Sequence, residues 1–328
     1  MNKRRTFVKQ LSLGTVGAGL LTALPESLYA NSATAIKYDI SLAQFSLASE
    51  FFMGKHNTLE FPARAKNDFG VNIVEYVSMF FADKMNDASF FEELKMRTDD
   101  LGVTNHLIMV DDKNIADLDK TKRNEAVESH YKFVDAAKVL GCSSIRVNLG
   151  SLEQTGTAEE VADAALEGYS KLLQYGDDHE MDIIVENHVG HSCNGKWLAN
   201  IMKEVNHKRA GVLPDFGNFC VKRTKPETMD IEGYMATKCL EQYDMYLGIE
   251  ELMPYAKGVS AKTHKFDADG NETEMDFKRI FAIIKKSGFN GIIGIEYEGG
   301  LMHAQGMEGY FSNEEGIKAT KKLIEKSA

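Results

Sequence analysis

Asp182-Ile183-Ile184-Val185-Glu186-Asn187-His188 decides how this chain is read. A short apolar run that closes abruptly on a carboxylate, an amide and an imidazole is the pattern of a buried strand presenting its last residues to a site. Three later segments repeat the design: Gly211-Val212-Leu213-Pro214-Asp215, Gly258-Val259-Ser260-Ala261-Lys262-Thr263-His264, and a run from Gly291 that ends on Glu296 and Glu298. In a parallel α/β barrel, strand ends of this kind gather at one mouth.

Working outward, apolar strand-like runs alternate with segments of helical spacing. Strands are expected over Tyr38 to Ser46, Val71 to Val77, Thr104 to Val110, Ser143 to Leu149, Asp182 to Glu186, Gly211 to Asp215, Gly258 to His264 and Gly291 to Tyr297. Helices are expected over Ala63 to Phe69, Asp87 to Leu101, Lys120 to Leu140, Ala158 to Tyr175, Gly195 to Val205, Tyr234 to Tyr255, Asp276 to Lys286 and Asn313 to Lys326. Gly70, Gly102, Gly141 and Gly176 read as helix stops. Eight such pairs are the count of a single (β/α)8 TIM barrel, placed over residues 36–328. The alternative, an open doubly wound sheet, lacks its commonest fingerprint, a GxGxxG after the first strand.

The first thirty residues stand apart from that core. Lys3-Arg4-Arg5-Thr6-Phe7-Val8-Lys9 precedes an uncharged, Gly-rich stretch and then small residues around Ala30 to Ala35. This resembles a twin-arginine export signal, which implies cleavage between 30 and 35, a periplasmic location and no stable membrane anchor afterwards. Removing residues 1–30 takes away four basic groups and Glu26, leaving 34 Lys and Arg against 48 Asp and Glu, a formal charge of −14. Such a surface repels phosphate backbones, so nucleic acid is excluded as a partner. Cys142, Cys193, Cys220 and Cys239 form no CxxC pair, and their spacing fixes no disulfide connectivity.

Glu186, Asp215, His264 and Glu296 would bring three carboxylates and an imidazole from four successive barrel strands. Carboxylates so close need protons or a cation to balance them, and a divalent ion is the simpler balance. Oxygen-rich ligation with one nitrogen suits Mn²⁺, Mg²⁺, Co²⁺ or Zn²⁺. His188, Asn218, Lys262, Arg146 and Asn148 are candidates for substrate contacts. Phe51-Phe52 and Phe80-Phe81 are candidates for an apolar wall, with packing under the rim as the other reading.

The set IIVENH, LPDFGN, AKTH and GIEYEG, with SLAQFSL and NIVEYV on the first two strands, resembles the xylose isomerase-like superfamily of sugar isomerases and epimerases. The resemblance implies one divalent ion held by Glu186, Asp215, a ligand from the seventh strand, and Glu296. The family's seventh-strand His has its counterpart here in Ser260, two residues before Lys262. His264 shares that strand parity but lies about 13 Å further along a straight strand, which leaves His264, His188 or water to complete the set.

The implied mechanism is proton abstraction alpha to a sugar carbonyl through a metal-stabilised enediolate, with Glu186 and Glu296 as acid and base. Two further activities stay open: elimination of the aglycone from a 3-oxo-glycoside at the same site, and carbohydrate binding without turnover. The expected partner is a small sugar or glycoside, in a monomer or a homo-oligomer.

Overall fold

The computed structural model describes residues 38–151, 155–228, 233 and 236–328, so the stretch read as an export signal lies outside the described residues. Eight parallel strands form the sheet: β1 (Asp39–Ala43), β2 (Ile73–Val77), β3 (Thr104–Met109), β4 (Ser144–Val147), β5 (Asp182–Glu186), β6 (Ala210–Leu213), β9 (Val259–Thr263) and β10 (Ile292–Tyr297). Their order is β6-β5-β4-β3-β2-β1-β10-β9. The remaining seam between β6 and β9 is joined by parallel bridges at Val212–Ala256 and Asp215–Ser260. The Ser260 amide donates to Pro214 O at 2.9 Å, and the Phe216 amide to Ser260 O at 3.2 Å. The result is the expected TIM barrel, and its seam falls between two of the four strands that carry the candidate site.

The sequence separates an inner from an outer core. Ala43, Val77, Leu107, Met109, Ile184 and Leu213 fill the barrel interior, with Phe45 and Phe80 packed against them. The larger core lies between sheet and helices, where β-branched strand residues such as Ile183, Val185 and Val212 meet the apolar stripes of the helices. One buried tyrosine ties these layers near the starts of β5 and β6, at the end of the barrel opposite the site. Tyr169, on the helix Ala158–Asp178, donates to Ile183 O at 2.6 Å on β5 and accepts from the Gly211 amide at 3.3 Å on β6.

Helix ends follow local chemistry where glycine is needed. Gly102 and Gly141 close the helices Ala88–Leu101 and Lys120–Leu140 with φ of 62° and 73°, a region costly for side chains. Gly176 does not stop its helix, which runs on to Asp178. A Cβ there would lie 2.8 Å from Ile183 Cγ1 and Met181 O, so this glycine lets helix and strand approach closely.

The expected helix from Tyr234 to Tyr255 is a larger departure. Its described part holds a strand, β8 (Cys239–Gln242), before a helix over Met245–Leu252. β8 pairs antiparallel with β7 (Cys220–Arg223), and a Cys220–Cys239 disulfide joins the two strands. The residues of β8 are exposed, so no buried face imposed a strand period on the sequence. Cys142 and Cys193 are free and buried.

Candidate active site

Glu186 closes β5, Asp215 follows β6 by two residues, and Glu296 lies near the end of β10. Each offers a carboxylate oxygen, and these lie within 4.8 Å of one another in a fully buried group. The backbone turns that place them are themselves held by side chains. Asn187 accepts the Asp215 amide at 2.8 Å and donates to Asp215 O and Asn218 O at 3.0 Å, pinning the end of β6 to the end of β5. Asp215 Oδ1 accepts the amides of Gly217 and Asn218 at 2.8 and 2.9 Å, while Oδ2 turns inward.

The counter-charges are few. Arg146, on β4, meets Glu186 Oε2 through Nε at 2.8 Å and Asp111 through a terminal nitrogen at 2.6 Å. The Glu186 contact lacks hydrogen-bond alignment, so both of its atoms are without a hydrogen-bond partner. Lys262 Nζ lies 2.9 Å from Glu298 and 3.6 Å from both Asp215 and Glu296. Ser260 Oγ lies 2.9 Å from Asp215 Oδ2 and 2.8 Å from Glu296 Oε2. A hydroxyl carries one proton, so it donates to one of these carboxylates, and the other contact needs a proton on the acid or a cation.

Six carboxylates (Glu75, Asp111, Glu186, Asp215, Glu296 and Glu298) thus share two permanent cations. Burial, opposed by Arg146 and reinforced by Glu296, raises Glu186 to about 7. Burial also carries Asp215 well above its ordinary value against the pull of Lys262. Glu75, beneath the site with Ser41 at 2.5 Å, rises to about 8, mainly by burial. Asp111 is the reverse: burial opposes its ionisation, yet Arg146 and His188 hold it at about 2. Lys262 is held charged, because Asp215, Glu298 and Glu296 together outweigh the cost of its burial.

Most residues singled out in the sequence meet here. His188 leaves Nδ1 buried without a hydrogen bond, and burial lowers it to about 4, so the ring is neutral. Asn218 donates to Glu186 Oε1 at 3.0 Å and lies 3.4 Å from Lys262 Nζ. Asn148 donates to Asp111 at 2.9 Å and accepts from Arg146 at 3.4 Å, so it reaches Glu186 only through Arg146.

His264 does not join the three carboxylates. β9 ends at Thr263, the chain turns, and His264 Nε2 meets Glu298 at 3.2 Å while the ring joins a separate group with Glu272 and Glu274. The inward place on β9 belongs to Ser260. Glu298 was marked in the sequence as a strand-end acid but given no role, and Asp111 was not singled out, although it too is a carboxylate just past a strand end. Phe80 stacks on Phe51 at 4.7 Å and Phe45 at 6.4 Å, beside the inner core.

A divalent cation fits the inner group. Three buried carboxylates converge, Glu186 Oε2 has an acceptor position unfilled, and the Ser260 contacts are one positive centre short. Glu186, Asp215 and Glu296 would hold the ion.

A family model described as xylose isomerase-like TIM barrel matches residues 63–326. No curated protein sequence matches the chain significantly. Among solved structures, the IolI protein with a bound zinc atom is 13% identical at a TM-score of 0.66, over 88% of this chain and 99% of that one. D-allulose 3-epimerase from Methylomonas sp. is 14% identical at 0.62, over 89% and 98%. The 3-keto-D-glucoside 4-epimerase of E. coli is 11% identical at 0.57, over 89% and 99%. Likeness at this identity establishes the shared fold.

Proposed function

This chain belongs to the xylose isomerase-like TIM barrel family, and from that membership we propose that it is a metal-dependent sugar isomerase or epimerase working on a keto or aldehydo sugar. The observation that carries the reading is the buried convergence of Glu186, Asp215 and Glu296 at the C-terminal ends of the barrel strands. The sugar epimerases among the similar structures support it.

A bound dication would stabilise negative charge developing on the sugar carbonyl oxygen. Glu186 and Glu296 remove and return the proton on the adjacent carbon. Burial raises Glu186 in the metal-free site, and a bound dication would draw it back to the carboxylate that proton removal requires. Lys262, fixed as a cation by its acidic neighbours, favours an oxyanion, and neutral His188 with Asn218 orients hydroxyls.

The reading is tested by incubating metal-replete protein in D₂O with a panel of free and 3-oxo sugars and measuring deuterium at the carbon alpha to the carbonyl. Uptake by the native chain, reduced on the order of 10²–10⁴-fold in Glu186→Gln and Glu296→Gln, is the expected result. Full exchange in both variants would remove them from proton transfer.

One observation favours the lyase as a second reading. A cavity of about 370 Å³ is lined by Val189, Gly190 and His191, which follow His188 in the chain, and by Cys220, Lys222 and Arg223 among others, and would have room for an aglycone. Aglycone release from a 3-oxo-glycoside would select it. The Cys220–Cys239 disulfide supports the periplasmic reading of the twin-arginine segment, since such bonds persist in oxidising compartments. Cell fractionation tests that location: recovery of the mature chain in the cytosol would remove it.

A further inference from the structure

We infer that Asp111 is a further substrate-binding residue, which accepts a hydrogen bond from one hydroxyl of the sugar and so selects an uncharged polyol on the β3–β4 side of the mouth. The inference rests on the proposed reading of the same site and narrows the substrate that fits it.

The backbone sets Asp111 at the rim from both neighbouring strands. The preceding Val110 amide donates to Arg146 O at 2.8 Å on β4, and the Asp111 amide donates to Ser78 Oγ at 3.2 Å just past β2. The side chain is held on one oxygen only. Arg146 donates to Oδ1 at 2.6 Å and Asn148 donates to the same atom at 2.9 Å. Among the described residues no donor reaches Oδ2, and the side chain keeps 24% of its surface exposed. A carboxylate accepts at both oxygens, so one of these is left for a ligand.

The surroundings decide what that ligand is. Arg146 lies between Asp111 and Glu186, so the open oxygen stands one guanidinium away from an acid of the reacting centre. His188, whose Nδ1 is buried without a hydrogen bond, lies within electrostatic reach of Asp111. A hydroxyl gives its hydrogen to a carboxylate and takes one from a guanidinium or an imidazole, and this corner holds all three. An ammonium would meet the charge of Arg146, and an anion would meet Asp111 with the acids behind it.

Barrel closure adds a second reason. β3 and β9 stand four strands apart in either direction round the sheet, which sets Asp111 across the mouth from Lys262. A sugar between them meets a donor at one end and an acceptor at the other.

The test measures deuterium uptake by metal-replete full-length protein in D₂O. The probes are the panel sugar that exchanges fastest and its monodeoxy and monoamino forms, altered one position at a time outside the carbonyl and its alpha carbon. One deoxy form is expected to lose about 10- to 100-fold in kcat/KM, chiefly through KM, as for a hydrogen bond to a charged group. The amino form at that carbon should do no better. Asp111→Asn should lose as much on the parent sugar, treat parent and deoxy form within about 3-fold of each other, and bind Mn²⁺ within about 3-fold of native. Equal losses on parent and deoxy form, or a collapse of Mn²⁺ affinity, would make Asp111 only a partner of Arg146 and overturn the inference. A native chain indifferent to every deoxy change, or one that prefers the amino form, would overturn it without recourse to the variant. Each of these outcomes leaves the isomerase or epimerase reading standing, whereas no exchange with any sugar would overturn both.

Discussion

The barrel carries two acid clusters that look alike as residue types and differ in what their atoms already touch. In the outer one, Glu272 Oε2 accepts the amides of Glu274 and Met275 at 2.6 Å each, Glu274 is exposed, and His264 leans on Glu298. Its best-buried carboxylate is occupied with holding a turn. In the inner one, Glu186, Asp215 and Glu296 are enclosed, and the nearby hydroxyl and cations do not satisfy them fully. An acid's capacity for chemistry is therefore read from its unfilled valences, because backbone amides can consume a carboxylate as completely as a metal can.

The sharpest way to break that contrast is to neutralise one member of each cluster. Asp215→Asn is expected to lower alpha-proton exchange by at least ~10²-fold, whereas Glu274→Gln should stay within about 2-fold, both read by deuterium uptake. Equal losses would erase the distinction between the clusters.

Beneath the inner cluster, Glu75 offers a stability readout. Its carboxyl is raised to about 8, so its contribution favours folding below its ordinary value near 4.5 and is lost as pH climbs through 8. Glu75→Gln removes that loss. In EDTA at pH 9, urea melts should find the variant more stable than the native chain by roughly 2–4 kcal/mol, and the gap should close by pH 4. A gap that widens towards acid would contradict the assignment.

Smaller effects are expected away from the inner acids. Cys220→Ser with Cys239→Ser opens a bond spanning 19 residues and should cost about 2 kcal/mol in the same melts. A larger loss would show that the hairpin supports the barrel itself. His264→Asn, which removes the 3.2 Å contact to Glu298, should cost about 1 kcal/mol and leave metal affinity within about 3-fold. A collapse of metal affinity would return the imidazole to the ligand set.

Much of this was legible in the sequence because the barrel buries its strands on both faces. Asp182–Glu186 stands at the residues expected, as do the helices Lys120–Leu140 and Gly195–Val205, where apolar spacing and flanking Gly or Asn agree. The carboxylates at three strand ends were legible for the same reason, since a charge at the end of an apolar run has to be turned towards something. His264 falls outside the inner group because parity along a strand holds only while the strand lasts, and β9 ends one residue earlier. The β7–β8 hairpin was not legible, because its pairing and its disulfide are long-range and its outer strand is exposed. Asp111 shows its importance only once Arg146 and Asn148 are seen to close on it.

The most direct measurement is anomalous diffraction at the manganese edge from crystals of metal-free protein soaked in MnCl₂. The account predicts one strong peak ligated by Glu186, Asp215 and Glu296 beside Ser260. A peak at His264, Glu272 and Glu274 with none at the inner acids would contradict it.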